Sequence, residues 1–234
     1  MSQRHPQAGI EFWRQLDIVA PEHLEFPVTL IGAGGIGSPT ALVLTKMGIV
    51  DLLIYDDDKV ENHNLPSTLY RLKDVGLDKV AALQGICEDY TGVAPKFKSE
   101  IFADQSPSGV VISGVDTLTD RHAIWQRIKY NASVQLYIDG RMSGEVFIIH
   151  AVNPCDPDDV NWYESTLPSG PEALAEADAR DVEPCSARSV VYNTFGIASF
   201  IANVVKKYSR SQPYPKEILF DFVNLEVYKR STIS

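Results

Sequence analysis

A glycine-rich turn near the start of the chain constrains the fold more than any other feature. It reads Gly32-Ala33-Gly34-Gly35-Ile36-Gly37, follows the apolar run 28–31 directly and opens a helical pattern over 36–47. Glycines at this spacing let the backbone turn tightly and approach a phosphate, while the helix that follows presents free N–H groups to an anion. The sequence therefore predicts a strand, a nucleotide-binding turn and a helix in direct succession.

Apolar runs and helical patterns go on alternating after this turn. Strands are expected at 28–31, 51–55, 96–101, 109–115 and 135–139, with helices at 36–47, 78–90 and 119–130 between them. This order predicts a doubly wound α/β fold whose sheet is parallel in its N-terminal half. Further strands expected at 145–152 and 218–228, with a helix at 189–208, add antiparallel C-terminal strands to a mixed, Rossmann-like sheet.

The chain shows no linker composition, so residues 1–234 are expected to form a single domain. Residues 1–27 are expected to hold an N-terminal helical segment, with a helix or helical turns over 9–24. Residues 153–184 carry several Pro, Asp and Gly residues and are expected to form a long loop. Loops of this length are commonly functional.

Charge, apolar runs and cysteine spacing exclude several kinds of function. Lys and Arg number 21 against 31 Asp and Glu, so the formal net charge of −10 disfavours binding to nucleic acid and to membrane surfaces. No apolar run approaches the roughly 20 residues that span a bilayer, and the N-terminus lacks the apolar core of a signal peptide, so a cytoplasmic location is expected. Cys87, Cys155 and Cys185 include no Cys-x-x-Cys pair, so neither a disulfide framework nor a structural zinc site is expected.

A set of polar motifs follows the glycine turn. The acidic run 56–58 lies about 20 residues downstream, where a carboxylate can accept hydrogen bonds from a ribose. Then come Asn64-Leu65, Arg71-x-x-Asp74-Val75-Gly76-x-x-Lys79 and, later, Asp116-x-x-x-x-Arg121. In this order and spacing the motifs resemble those of the ThiF/MoeB/HesA family, the adenylating domain of ubiquitin-activating enzymes. The resemblance covers residues 10 to 150 and is weaker beyond them.

The resemblance implies an ATP site at the carboxyl edge of the sheet. Asp56 would hold the ribose, and Asp58 would shape the nucleotide pocket. Asn64 and Lys79 would contact phosphate oxygens, and Arg71 matches an arginine that follows them in the family pattern and is assigned to the nucleotide. The phosphates would also face the glycines of the turn, which are Gly32, Gly34, Gly35 and Gly37.

The implied reaction is ATP- and Mg²⁺-dependent adenylation of the C-terminal glycine of a small ubiquitin-like or sulfur-carrier protein. Charge develops on phosphate oxygens, so the site needs cations and a metal; by the resemblance these are Lys79 and a Mg²⁺ held by Asp116. Arg14, in Phe12-Trp13-Arg14-Gln15, corresponds to an arginine that enters the neighbouring subunit's ATP site in relatives, which implies a homodimer. Cys185 lies where some relatives accept the carrier as a thioester.

One departure leaves alternatives open. Two residues after Asn64-Leu65 the family has an arginine that meets the phosphates, where this chain has Ser67. A non-catalytic scaffold or the inactive half of a dimer is therefore an alternative, as is adenylation of a peptide or another small acceptor. The glycine turn alone is also typical of nicotinamide-dependent oxidoreductases. Each of three predicted site residues also has a structural interpretation: Asp116 as a helix N-cap or turn residue, Arg14 as an exposed arginine on an amphipathic helix, and Cys185 as a small buried residue.

Overall fold

The computed structural model of the chain describes residues 10–181 and 190–230. The strands are β1 (Val28–Ile31), β2 (Leu52–Tyr55), β3 (Lys96–Lys98), β4 (Gly109–Ser113), β5 (Val134–Ser143), β6 (Val146–Val152), β7 (Glu217–Asp221) and β8 (Glu226–Arg230). The α-helices are α1 (Gly37–Met47), α2 (Lys79–Thr91), α3 (Leu118–Ile128), α4 (Pro157–Glu164), α5 (Pro171–Asp181) and α6 (Val191–Ser209). Short 3-10 helices lie at Pro21–Leu24, Asn62–Ser67 and Leu72–Asp74. None of these described helices is both long and apolar enough to cross a membrane.

The strands pair into an eight-stranded sheet in the order β3-β2-β1-β4-β5-β6-β7-β8. The pairs from β3 to β5 are parallel, and the pairs from β5 to β8 are antiparallel. This arrangement confirms the predicted fold class. The chain order reverses between β1 and β4, and ligands of doubly wound sheets bind at the carboxyl edge beside such a switch point. The glycine turn follows β1 and Asp116 lies in the loop after β4, so both lie beside this switch point.

Successive side chains of the central strands enter two different apolar cores, one on each face of the sheet. In β4, Val110 and Ile112 pack with α1, α2 and α6, whereas Val111 packs with α3 and α4. All three side chains are fully buried, and each contributes about 1.5–3 kcal/mol through burial. Two covered faces explain why three apolar residues follow one another in this strand, and they fix the position of the loop that follows it.

Residues 153–184 are not the long loop expected from the sequence, because α4 and α5 lie within them. Asp156 is the N-cap of α4 and accepts two backbone N–H groups of its first turn, with Pro157 at the first helical position. Pro171 begins α5 directly after Gly170, whose φ is +91°. The Pro, Asp and Gly residues of this segment therefore start helices instead of excluding them.

The described part of the N-terminal segment has the expected helical turns in place of one helix. From residue 10 onward, it consists of hydrogen-bonded turns and the 3-10 helix Pro21–Leu24; Pro21 cannot continue a helix, because its ring and missing N–H break the hydrogen-bond ladder. The last predicted strand differs from expectation. The single strand expected at 218–228 is a hairpin of β7 and β8. Asp221 accepts two backbone N–H groups of the intervening turn, which reverses the chain.

Candidate nucleotide site

The glycine turn between β1 and α1 requires glycine at two positions and leaves space at a third. Gly32 has a φ of +92°, and a Cβ there would lie 2.9 Å from the backbone of Gly114. A Cβ on Gly37 would lie 1.8 Å from the carbonyl oxygen of Gly32. Around an added Cβ on Gly34, no atom of the described residues beyond its chain neighbours lies within 4 Å. The turn is therefore rigid where it meets the fold and open beside Gly34.

Two side chains hold Ala33, inside the turn, from opposite sides. The Ala33 N–H donates to Asp56 Oδ2 at 2.7 Å, and the Tyr70 hydroxyl donates to the Ala33 carbonyl at 2.6 Å. Burial raises the pKa of Tyr70 far above its usual value, so the hydroxyl remains a donor. The sequence does not single out Tyr70; the available signal is its place just before Arg71 in the family-like motif.

Asp56, Asp58 and Lys79 meet at the carboxyl end of β2, as the resemblance implies. Lys79 Nζ lies 2.7 Å from Asp58 Oδ2 and 3.9 Å from Asp56 Oδ1. Burial raises the pKa of Asp56, against the opposing effects of the Ala33 N–H and of Lys79. Asp58 is mostly exposed, whereas Lys79 is buried at the first position of α2. The group thus combines carboxylate acceptors for hydroxyls with a cation for an anionic ligand.

Asp116 lies in the loop between β4 and α3, and this loop packs against the glycine turn. The contact is the close approach of Gly114 to Gly32. Asp116 is exposed, and its side chain makes no hydrogen bond within the described part of the chain. The N-cap of α3 is instead Thr117, whose hydroxyl oxygen accepts the Asp120 N–H at 3.0 Å. The N-cap interpretation of Asp116 is therefore wrong.

The 3-10 helix Asn62–Ser67 covers the glycine turn. The Ser67 carbonyl oxygen would lie 3.2 Å from a Cβ on Gly35, so the position where the family carries an arginine does border the turn. Asn64 Oδ1 accepts the Glu61 N–H at 2.9 Å, which stabilises the start of this helix. A contact between Asn64 and a phosphate stays a prediction.

Arg71 is held by two carboxylates. Its Nε lies 2.9 Å from Asp74 Oδ2, and its Nη1 lies 2.7 Å from Asp89 Oδ2. Hydrogen bonds to Asp74, opposed by burial and supported by Asp89, raise the pKa of Arg71. These contacts join the 3-10 helix Leu72–Asp74 to α2. They give the guanidinium a structural role, and its contact with a nucleotide stays a prediction.

The remaining predicted catalytic residues lie apart from this group or outside the described residues. Arg14 is exposed, with its guanidinium carbon 5.0 Å from the ring centre of Trp13. An arginine that acts in a second subunit is expected to be exposed in a single chain, so its role stays a prediction. Cys185 falls in 182–189, outside the described residues. Of the other cysteines, Cys87 is buried and Cys155 is exposed.

We expect a Tyr70→Phe variant to lose about 1 kcal/mol of unfolding free energy, because the Ala33 carbonyl loses its buried donor. Chemical denaturation measures this loss. Tyr208→Phe is the matched control, since the Tyr208 hydroxyl makes no hydrogen bond within the described residues and its ring packs edge-on against Phe26. Equal losses in both variants would show that the bond to Ala33 does not hold the turn.

Sequence comparison identifies relatives of this chain. A sequence profile described as the ThiF family matches residues 22–225. Ubiquitin-like modifier-activating enzyme 5 of Branchiostoma floridae is 43% identical over 60 residues, and that of Arabidopsis thaliana is 45% identical over 65 residues. These stretches cover 26% and 27% of this chain and 15% of each relative. The matched segment is thus a small part of those longer enzymes.

Solved structures share the fold. Escherichia coli MccB with ATP superposes with a TM-score of 0.70 at 17% identity, over 90% of this chain and 65% of MccB. PaaA superposes with a TM-score of 0.69 at 19% identity, over 90% of this chain and 74% of PaaA. At these identities the likeness establishes the mixed α/β architecture alone. The chemistry depends on the residues of the site.

Proposed function

The chain belongs to the ThiF family, and on that premise we propose that it adenylates the carboxylate of an acceptor with ATP. One observation carries the proposal: Asp56 and Lys79 meet beside an open glycine turn at the carboxyl edge of the sheet. Two comparisons support it. The matching curated relatives are named as enzymes that activate a ubiquitin-like modifier, and MccB, of the same fold, has been crystallised with ATP.

In the proposed reaction an oxygen of the acceptor carboxylate attacks the α-phosphorus of ATP. A bond between this oxygen and phosphorus forms, the bond from phosphorus to the bridging oxygen breaks, and pyrophosphate leaves with the electron pair. No proton transfer is needed, because the attacking carboxylate is already ionised at neutral pH. The protein's contribution is therefore to position the two reactants and to stabilise negative charge.

The chain's own residues fit those two tasks. Asp56 offers carboxylate oxygens to the ribose hydroxyls, and the space beside Gly34 admits the phosphates. Lys79 is buried and close to both acidic side chains, so its ammonium group is positioned before the nucleotide binds. A cation fixed in this way stabilises charge that develops on phosphate oxygens without reorganising during the reaction.

Asp116 is the residue that we propose would hold Mg²⁺. The described residues contain no group of three or more His, Cys, Asp and Glu side chains arranged around a common metal position. Mg²⁺ is usually bound through one or two carboxylates together with substrate phosphates and water, so an exposed single aspartate beside the turn fits this ion. When bound, Mg²⁺ would neutralise charge on the phosphate oxygens.

We propose the C-terminal glycine of a small ubiquitin-like or sulfur-carrier protein as the acceptor, in line with the names of the curated relatives. A peptide or another small acceptor is the second candidate, favoured by the crystallisation of MccB with MccA. Ser67 favours a third, a non-catalytic half of a dimer, because a neutral side chain replaces the family's arginine beside the turn. Detection of exchange activity with any acceptor decides against this third candidate.

Further proposals follow from the family pattern. A homodimer would let Arg14, which is exposed, reach the ATP site of a second copy. Transfer of the activated carrier to Cys185 as a thioester would follow adenylation. A reaction that consumes ATP and acts on such a carrier fits a cytoplasmic protein.

A mixture of an Arg14→Ala variant with an inactive Lys79→Ala variant tests the proposed homodimer. A mixed dimer has one site with both residues only if Arg14 of one copy enters the site of the other, so activity of the mixture requires that the two copies share residues.

ATP–pyrophosphate exchange tests the proposed function, and Asp116→Asn is its sharpest variant. We expect exchange to fall by about 100-fold or more, because the ligand of the metal loses its charge. The melting temperature is expected to stay the same, since Asp116 is exposed and makes no hydrogen bond within the described residues. Asp104→Asn, in an exposed pair with Arg127, is the control. Normal exchange in Asp116→Asn would refute the assignment of the metal ligand.

A further inference from the structure

A buried ionic cluster lies beside the loop that carries Asp116. Its centre is Asp139, which is fully buried on β5 and is the register partner of Ser113, the last residue of β4. Asp139 pairs with Arg121 through Oδ1 and with Arg141 Nε at 2.7 Å through Oδ2. The Tyr163 hydroxyl donates to the same Oδ2 at 3.0 Å. The carboxylate is therefore held by three donors from three different elements.

The charge state of this cluster is fixed. Burial by itself would raise the pKa of Asp139, but the guanidinium groups of Arg121 and Arg141 outweigh burial and hold the pKa at about 2. Burial, together with Arg141, lowers the pKa of the neighbouring His150 to about 4. Asp139 is thus ionised and His150 neutral at neutral pH. The lowered pKa of Asp139 therefore keeps it paired with the two arginines at neutral pH.

Arg121 links this cluster to the loop. While Nη1 pairs with Asp139, Nη2 donates to the carbonyl oxygen of Val115. That carbonyl and the N–H of Asp116 belong to one peptide group, which is planar. By fixing the orientation of this group, Arg121 fixes the direction of the N–Cα bond of Asp116 and so the position from which its side chain extends. Buried Arg121 therefore acts on exposed Asp116 through the peptide group between Val115 and Asp116.

The far end of the loop is fixed as well. Asp178, on α5, accepts the backbone N–H groups of Leu118 at 2.7 Å and Thr119 at 3.1 Å. The Thr119 hydroxyl donates to the same carboxylate at 2.6 Å. Because α5 anchors the start of α3 while Arg121 anchors the peptide before Asp116, the loop is restrained on both sides of Asp116.

We propose that Arg121, oriented by Asp139, is a positioning residue for Asp116. The proposal rests on the proposed function, in which Asp116 holds Mg²⁺. Replacing a buried ion pair with apolar residues of similar volume is often neutral or stabilising, so stability alone does not account for three polar donors around one buried carboxylate. The hydrogen bond from Arg121 to the peptide before Asp116 gives this arginine a role beyond stability, since groups behind a metal ligand typically change affinity or activity by about 10–100-fold.

Arg121→Lys tests the proposal, because lysine keeps the charge but its single nitrogen lacks the rigid fork with which Arg121 joins Asp139 to Val115. The first readout is the NMR order parameter of the Asp116 backbone amide in the protein without nucleotide, which requires no activity. We expect it to fall from about 0.85, the value of a rigid backbone, to below about 0.6. The second readout is ATP–pyrophosphate exchange, where we expect kcat to fall about ten-fold or more with KM for ATP within about two-fold.

Arg127→Lys is the matched control, since Arg127 lies on the same helix and also pairs with an aspartate, Asp104, at the surface. It is expected to leave both readouts unchanged. An unchanged order parameter of the Asp116 amide in Arg121→Lys overturns the proposal, and so does a kcat within about two-fold of wild type. If wild-type protein shows no ATP–pyrophosphate exchange with any acceptor, the proposed function fails, and the order parameter alone then decides whether Arg121 positions the loop.

A second variant guards against misfolding of the first. Tyr163→Phe removes one hydrogen bond from Asp139 and leaves both arginines in place. We expect a smaller change in the same direction, an order parameter of the Asp116 amide between the values of wild type and Arg121→Lys. An unchanged order parameter would overturn the claim that the Asp139 cluster controls the loop.

Discussion

A Gly37→Ala variant is expected to lose about 3 kcal/mol or more of unfolding free energy and to melt about 10 °C lower. The added Cβ would lie 1.8 Å from the Gly32 carbonyl oxygen, so either the end of β1 or the start of α1 must move. Both are buried, and neither can shift without disturbing a packed core. Thermal and chemical denaturation measure the loss.

Gly34→Ala, three residues away, is the matched comparison. Its Cβ meets no atom of the described residues within 4 Å apart from chain neighbours, so the melting temperature should change by less than about 2 °C. Its methyl group would occupy the space proposed for the phosphates, and calorimetry should show an ATP affinity at least about ten-fold lower. A Gly34→Ala protein that binds ATP normally would place the phosphates elsewhere. A fully stable Gly37→Ala protein would show that the turn has a different conformation.

A Lys79→Ala variant is expected to lose ATP–pyrophosphate exchange by about 100- to 1,000-fold, the effect of removing one fixed charge-stabilising group from an active site. Lys79 is buried beside Asp56, and burial raises the pKa of Asp56. The ammonium group of Lys79 is therefore the cation that the described site offers at the carboxyl end of β2. Loss of its charge also removes the positive group that opposes the raised pKa of Asp56, which is expected to weaken nucleotide binding.

Lys59→Ala is the control for this variant. Lys59 Nζ also lies 2.7 Å from an aspartate, Asp78, but both side chains are exposed, so the pair contributes little. Exchange rates should stay within about two-fold of wild type. An equal effect of both lysines, or exchange by Lys79→Ala within about three-fold of wild type, would remove Lys79 from the proposed catalytic groups.

The parts of the site that sequence predicts are those fixed by local backbone chemistry. Gly32 and Gly37 were predictable because a strand–turn–helix junction admits no side chain there. Asp56 and Lys79 follow from motif spacing, and the structure brings them together. The alternating pattern similarly predicts β4 and a sheet that is parallel in its N-terminal half, since the apolar side chains of β4 are buried on both faces of the sheet.

The parts that sequence does not predict depend on contacts between distant residues. Tyr70 reaches Ala33 across 37 positions, and Arg121 reaches Asp139 across 18; no local pattern marks either pair. The loop expected at residues 153–184 was wrong for another reason. Pro, Asp and Gly serve both loops and helix starts, so only the packing of α4 and α5 against the sheet and α3 distinguishes the two.

The order of the sheet leaves β3 and β8 as its outer strands, and both carry charge where a further strand would have to add. β3 is Lys96-Phe97-Lys98, and β8 places Glu226, Lys229 and Arg230 on an exposed strand. Charged residues on edge strands oppose pairing with another chain. The charges on β3 and β8 therefore oppose growth of the described sheet by strand addition. Copies of this protein that associate are expected to do so through helical and loop surfaces.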